Sequence, residues 1–170
     1  MTSRSVFLLI FIACTVMLGV AGYFQFVEGM EPCPLCIFQR VAMFAVGIVA
    51  LLAVLHNPDA VGNRVYGFLA GILAVVGGLI SARHVWIQSL PADQVPTCGP
   101  GLSFMLDNFP LMDALKTVLT GSGECAEVLW RFLGLTVPGW TLVAFAILAV
   151  LCFWQVFRRQ YFNGLKINPF

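Results

Sequence analysis

Charged side chains are scarce in this chain. Nine lysines and arginines and eight aspartates and glutamates are spread over 170 residues, so 10% of the chain is charged, where a soluble globular domain carries about 25%. That deficit argues against a water-soluble fold. The two signs nearly cancel, for a net charge of +1, which leaves no basic surface of the kind that binds nucleic acid. The charges that do occur keep to the flanks. Four long runs, 6–27, 41–55, 65–82 and 140–157, hold none. Without an ionisable residue in the middle of a span, the chain also lacks the usual mark of a transport path. No polar stretch is large enough to fold as a soluble module of its own.

What is present is apolar: 60% of the residues are hydrophobic. A helix needs about 20 apolar residues to cross a bilayer. The second run reaches that length only when Ile37, Phe38, Gln39 and Arg40 form its first turn. The expectation is an all-α membrane protein: one integral domain over 1–170, built as a four-helix transmembrane bundle. Its spans would cover about 6–27, 37–55, 65–82 and 140–157, with outer loops over about 28–36 and 84–139. A signal peptide cleaved after Ala21 is the competing reading of the first run. Its apolar stretch is longer than such a segment needs and continues through Tyr23 and Phe26.

Lysine and arginine in the short flanks set the orientation. With both termini cytoplasmic, the inner side holds Arg4, Arg64, Arg158, Arg159 and Lys166 against Asp59 alone. The outer side holds Arg40, Arg83, Lys116 and Arg131 against seven acids, Glu28, Glu31, Asp93, Asp107, Asp113, Glu124 and Glu127. Cys33, Cys36, Cys98 and Cys125 then face outward, into a compartment that permits disulfides. In the long outer loop, Asp107-Asn108-Phe109-Pro110 reads as a helix start. Leu111, Leu115, Val118 and Leu119 follow on one face, as in a short amphipathic helix lying on the membrane. Along the third run, Gly67, Gly71, Ala74 and Gly78 recur at helical spacing and would let helices pack closely.

The cysteines carry the chemistry. Cys33-Pro34-Leu35-Cys36 stands at the mouth of the second run. Pro34 suits the first helical position, which puts Cys36 in the first turn, where unpaired N–H groups and the helix dipole favour an anion. Arg40 follows one turn below on the same face. A C-x-x-C pair, a helix N-terminus and a nearby arginine all favour a cysteine thiolate. A thiolate beside a cation at the edge of the lipid is a place for an electron acceptor bearing a carbonyl. An arginine near a span end can also snorkel to the headgroups. Cys98 lies in Val95-Pro96-Thr97-Cys98-Gly99-Pro100-Gly101, an extended segment open to attack by a foreign thiolate. A Cys98–Cys125 link could be structural, or could exchange with the first pair. Cys14 and Cys152 fall within spans and are assigned no role. His84 lies at the outer end of the third span beside Arg83, where it could help bind an acceptor or move a proton; His56 lies in the inner loop.

The chain resembles the DsbB family of bacterial inner-membrane proteins, which reoxidise the periplasmic dithiol oxidase DsbA. The resemblance rests on Cys33-Pro34-Leu35-Cys36-Ile37-Phe38-Gln39-Arg40. It rests also on Gly123-Glu124-Cys125-Ala126-Glu127, continuing through Trp130, Phe132-Leu133-Gly134-Leu135, Pro138 and Trp140. It implies a protein-dithiol:quinone oxidoreductase of the inner membrane. A DsbA-like thioredoxin-fold partner would attack Cys98 of a Cys98–Cys125 disulfide. Electrons would pass to Cys33–Cys36, through attack of Cys125 on Cys33, and on to a bound quinone, ubiquinone or menaquinone, from the membrane pool. Cys36, Arg40 and His84 would hold the quinone, and no metal is implied. Gln39 stands where an acidic residue can precede the arginine, and Gly99-Pro100-Gly101 is richer in turn formers than the family pattern. The alternatives are a vitamin K epoxide reductase-like protein, whose C-x-x-C lies in a later span, and a non-enzymatic membrane protein. The latter would hold a structural zinc at Cys33, Cys36, Cys98 and Cys125, or structural disulfides, at its outer face.

Overall fold

The computed structural model describes residues 2–29, 32–91, 125–126, 130–158, 161–162 and 165–166. Four long helices dominate: α1 (Ser3–Phe26), α2 (Pro34–His56), α3 (Ala60–Gln88) and α4 (Val137–Phe157). A hairpin of β1 (Arg131–Phe132) and β2 (Leu135–Thr136) leads directly into α4. A second small antiparallel pair, β3 (Tyr161–Phe162) and β4 (Leu165–Lys166), follows it. Each of the four helices is long and apolar enough to cross a membrane, and the fold is a four-helix membrane bundle.

Local chemistry sets the helix ends. The Thr2 hydroxyl accepts the Ser5 N–H at 3.2 Å to cap α1, and the Asp59 carboxylate accepts the Gly62 N–H at 3.0 Å to cap α3; each satisfies a donor the helix cannot. Asn57, with φ of 43°, ends α2 in the left-handed conformation that asparagine tolerates. Cys33 is the extended residue before α2, and Pro34 takes the first-turn position its missing N–H suits. α1 runs unbroken past Ala21 to Phe26. α3 runs beyond the uncharged run, from Ala60 to Gln88, so Arg83 and His84 belong to its last turns rather than to the start of a loop.

The core lies along the bundle axis. α1 contributes Val6, Phe7, Ile10 and Cys14, α2 Met43, Val46, Ala50 and Ala53, and α4 Phe145, Leu148 and Cys152. Their opposite faces stay apolar and uncovered, as at Val16, Leu79 and Val150, which is the surface a bilayer would coat. At one end the Gln155 amide donates to the Ser3 carbonyl at 3.3 Å, fastening α4 to the start of α1. The two cysteine-bearing segments meet at the other end.

α3 and α4 share the most extensive interface, and small residues make it possible. From Gly67 on, the buried face of α3 reads Gly67, Ala70, Gly71, Ala74, Gly77, Ser81, His84 and Ile87, a stripe that advances by three or four positions at a step, with Ala70 and Gly71 side by side. A methyl group at Gly67 would lie 3.0 Å from the Cys152 carbonyl, and one at Gly77 would lie 2.4 Å from the Phe145 ring. Gly78, part of the stripe read from the sequence, sits off this line: a methyl group there would meet Phe145 at an ordinary 3.6 Å. Residues 92–124, including Cys98 and the amphipathic helix expected after Asp107, lie outside the described residues.

The two neighbouring glycines give a paired test. Gly77→Ala should lower stability by about 1–3 kcal/mol through overpacking against Phe145, enough to outweigh the roughly 1 kcal/mol that alanine gains over glycine in a helix. Gly78→Ala should be neutral or stabilising. Thermal unfolding in detergent separates them, and equal midpoints would refute the packing account.

Candidate functional site

The site forms where the start of α2, the end of α3, the approach to α4 and Cys125 converge. Cys33 Sγ donates to Cys36 Sγ at 3.3 Å, so the two sulfurs are a small movement from the 2.03–2.05 Å or so of a disulfide. Both are half-buried, at the boundary between the capping turn and the bundle. Cys125 is buried against Leu35 and Ile87. The sulfurs of Cys33 and Cys125 and a ring nitrogen of His84 lie within 4.8 Å of one another.

His84 is the hub, and only 2% of its surface is exposed. Its Nε2 lies 3.1 Å from the Cys125 carbonyl and 3.7 Å from Cys33 Sγ. A carbonyl can only accept, so Nε2 carries a hydrogen. Nδ1 is then the bare nitrogen. It accepts from the Gln39 amide at 3.1 Å and lies 3.9 Å from Cys36 Sγ. The other end of the Gln39 amide, its Oε1, accepts from the Thr141 hydroxyl of α4 at 3.0 Å. One chain of hydrogen bonds thus joins Cys125, α3, α2 and α4. Both ring nitrogens of His84 are engaged by protein groups, and of the four sulfurs in the zinc alternative Cys33, Cys36 and Cys125 lie together while Cys98 falls outside the described residues.

Beside this chain opens a cavity of about 510 Å³. Its walls include Met17 and Leu18 of α1, Met43 of α2 and Val137 of α4, and Cys36, Arg40 and His84 look into it. Arg40 lies below Cys36 as the spacing requires. Its guanidinium is tied across to α1, with Nη1 donating to the Gln25 side-chain oxygen and Nη2 to the Ala21 carbonyl at 3.0 Å. Phe24 and Trp130 add aromatic rings to the cavity lining. Trp130 packs on Phe24 of α1 at 5.7 Å between centroids and stacks on Phe132 at 5.6 Å. The Trp140 N–H anchors the hairpin by donating to the Phe132 carbonyl at 3.1 Å.

Residues 3–155 match the family model described as disulfide bond formation protein DsbB. The chain belongs to the DsbB family. It is 62% identical over 155 residues to a disulfide bond formation protein B of Nitrosococcus oceani, covering 91% of this chain and 92% of that one. It is 52% identical over 159 residues to a namesake in Marinobacter nauticus, covering 94% and 95%. A third, from Chromobacterium violaceum, is 52% identical over 159 residues, covering 94% and 96%. Membership of the DsbB family makes this a disulfide-forming oxidoreductase of the membrane, acting in the folding of periplasmic proteins.

Of the residues singled out in the sequence, the structure gathers Cys33, Cys36, Arg40 and His84 around one cavity and sets Cys125 beside Cys33 and His84; Cys98 lies outside the described residues. Cys14 and Cys152 lie in the bundle core, away from it. Three polar residues escaped the sequence reading: Gln25, which ties Arg40, Thr141, which ties Gln39, and Gln39 itself as the partner of His84. Each sits in or beside an apolar run, and that isolation was the available signal. The juxtaposition of Cys125 and Cys33 has a direct check. With Cys36→Ser and Cys98→Ser combined, mild oxidation should join Cys33 to Cys125 within one chain, seen by peptide mapping of unreduced protein. Recovery of both thiols unpaired would contradict the placement.

Proposed function

We propose that this DsbB-family chain passes electrons from a periplasmic dithiol protein to a membrane quinone, through Cys98–Cys125 and then Cys33–Cys36. The observation that carries this reading is the cavity itself: an apolar pocket lined by Cys36, Arg40 and His84, with a second cysteine segment packed against the first pair. In the bundle as oriented by its flanking charges, these groups face the periplasm and both termini face the cytoplasm.

The first exchange is between proteins. A thiolate of the reduced DsbA-like partner attacks Cys98 Sγ and breaks the Cys98–Cys125 bond. The partner's second thiol then displaces Cys98, so the partner leaves oxidised and two thiols remain. The second exchange is internal: Cys125, already beside Cys33, attacks it and releases Cys36 as a thiolate. Cys98 then attacks Cys125, restoring the loop disulfide and leaving Cys33 and Cys36 reduced. Each step exchanges one sulfur bond for another, with the released sulfur's stability helping to set the rate. When bound, a quinone supplies the sink for two electrons and two protons. Cys36 faces it as the electron donor, and Arg40 offers a charge-assisted hydrogen bond to an oxygen. The apolar walls hold the ring away from water, and His84 stands ready to hold a proton. The residues present fit such a group: an apolar pocket with a few converging polar atoms is the usual form of a cofactor site.

Anaerobic quinone reduction by purified protein, started with a reduced DsbA-like protein, tests the whole relay. Quinol should appear in step with partner disulfide and vanish on Cys36→Ser. Cys98→Ser should block partner oxidation while quinone binding persists. Arg40→His should weaken apparent quinone affinity about ten-fold or more, on the scale of one lost charge-assisted bond. Absence of quinol from protein with intact thiols and bound quinone would overturn the relay, and unchanged affinity in the Arg40 variant would overturn the role of the arginine.

A further inference from the structure

Gln39 is an amide in a place where amides are costly. It sits inside α2, 4% exposed, between His84 on α3 and Thr141 on α4. Its two ends are chemically different but nearly equal in shape, so half a turn about its last bond exchanges donor for acceptor. Both neighbours can follow such a turn. His84 Nδ1 accepts a hydrogen bond when bare and donates one when protonated. Besides reaching Gln39 Oε1 at 3.0 Å, the Thr141 hydroxyl lies 2.9 Å from the Pro138 carbonyl. It therefore has a second acceptor waiting when Gln39 presents its NH₂ group instead.

We propose that Gln39 is a positioning residue that fixes the tautomer of His84 and turns its amide over when His84 takes the Cys36 proton. In the resting arrangement the Gln39 NH₂ group donates to Nδ1, and Thr141 donates to Oε1. The S–H bond of Cys36 then breaks and its proton forms an N–H bond at Nδ1, leaving a thiolate and an imidazolium; no electron moves in this step. Nδ1 now needs an acceptor. The amide turns, Oε1 accepts from Nδ1–H, and the NH₂ group donates to Thr141, whose own hydrogen passes to the Pro138 carbonyl. Nε2 keeps its bond to the Cys125 carbonyl throughout. Each nitrogen and oxygen of this hydrogen-bond relay keeps at least one partner in either state, and each atom left without one would cost about 1–3 kcal/mol. A carboxylate at this position could serve only the imidazolium, and an apolar residue neither form. Among the described residues, the titratable groups facing His84 are Cys33 at the cap of α2, Cys36 in its first turn and Cys125. From α4 the Thr141 hydroxyl reaches the network, through Gln39.

The proton step rests on the reading of Cys36 as a redox thiol; the positioning of His84 does not. The chain has two histidines, so nitrogen NMR of the full-length protein, reduced, in detergent and labelled at the imidazole nitrogens, resolves His84 once His56→Asn identifies the other. Wild type should show a single neutral tautomer with hydrogen on Nε2. Gln39→Glu should keep both nitrogens protonated at pH values where the wild-type Nδ1 is bare. Gln39→Leu and Thr141→Val should mix the tautomers. Alkylation of Cys36, followed by peptide mass spectrometry against pH, should slow about five-fold at neutral pH in Gln39→Leu, the scale of one ordinary hydrogen bond. An unchanged His84 signature in both Gln39→Leu and Thr141→Val overturns the positioning role. A changed signature with an unaltered Cys36 profile overturns the proton transfer. Loss of quinone reduction in wild-type protein whose His84 spectrum behaves as expected would overturn the relay and leave the positioning role standing.

Discussion

A polar ring withdrawn from solvent at the end of an apolar bundle must find every hydrogen bond within the protein, and His84 is that ring. Leaving a buried polar group unpartnered costs on the order of 1–3 kcal/mol by mutational measures, and lipid offers no water to make up the loss. The partners found for His84 come from three directions: an amide on α2, a backbone carbonyl at Cys125 and, through the amide, a hydroxyl on α4. Satisfying one imidazole thus fixes the relative positions of three helices and of the Cys125 segment. The placement of Cys33 and Cys36 beside Cys125 follows from the same set of bonds.

This convergence depends on how closely α3 approaches its neighbours. The stripe from Gly67 through Gly77 carries no side chain larger than a methyl group, which draws α4 in against the α3 backbone. Ser81, next along the stripe, bonds to its own helix at the Gly77 carbonyl and makes no demand on others. Only at His84 does the stripe turn outward-reaching and polar, and there α4 is already near enough for Thr141 to meet Gln39. Packing along the middle of α3 and chemistry near its C-terminal end are consecutive parts of one helix face.

Much of this was legible in the sequence. The scarcity of charge gave four spans, the C-x-x-C motif gave the dithiol, and helical spacing put Arg40 beneath Cys36. His84 does lie near the C-terminal end of its span, although α3 carries on to Gln88 because Val85, Trp86 and Ile87 extend its apolar character past Arg83. The partners of these residues were not legible. Gln25 and Arg40 meet across the turn between α1 and α2, and Gln39 and Thr141 meet across most of the chain; such pairings depend on the register between helices, which no local pattern encodes. The hairpin before α4 escaped for a different reason. Its two-residue turn places Leu133 at φ 51° and Gly134 at φ 81°, and a leucine in the left-handed region is not a turn signal, since it costs about 1–2 kcal/mol. The stacking of Trp130 on Phe132 and the Trp140 bond to the Phe132 carbonyl hold it there.

The tethering of Arg40 shows how a cation can be held in an apolar pocket without being cancelled. A carboxylate partner would fix the guanidinium in place, but would also neutralise it and remove its attraction for an electron-rich oxygen. The partners the chain supplies are neutral: the Gln25 side-chain oxygen and the Ala21 carbonyl. Both are acceptors, so they orient the guanidinium fork and offset part of its desolvation, yet its formal charge remains. Among the described residues that line the cavity there is no aspartate or glutamate. Gln39 follows the same logic, since an amide holds His84 without adding a charge. Cys36 lines the same cavity, 3.9 Å from His84 Nδ1, so the positive charge of Arg40, and that of His84 when protonated, is left for the sulfur and for whatever oxygen enters the pocket.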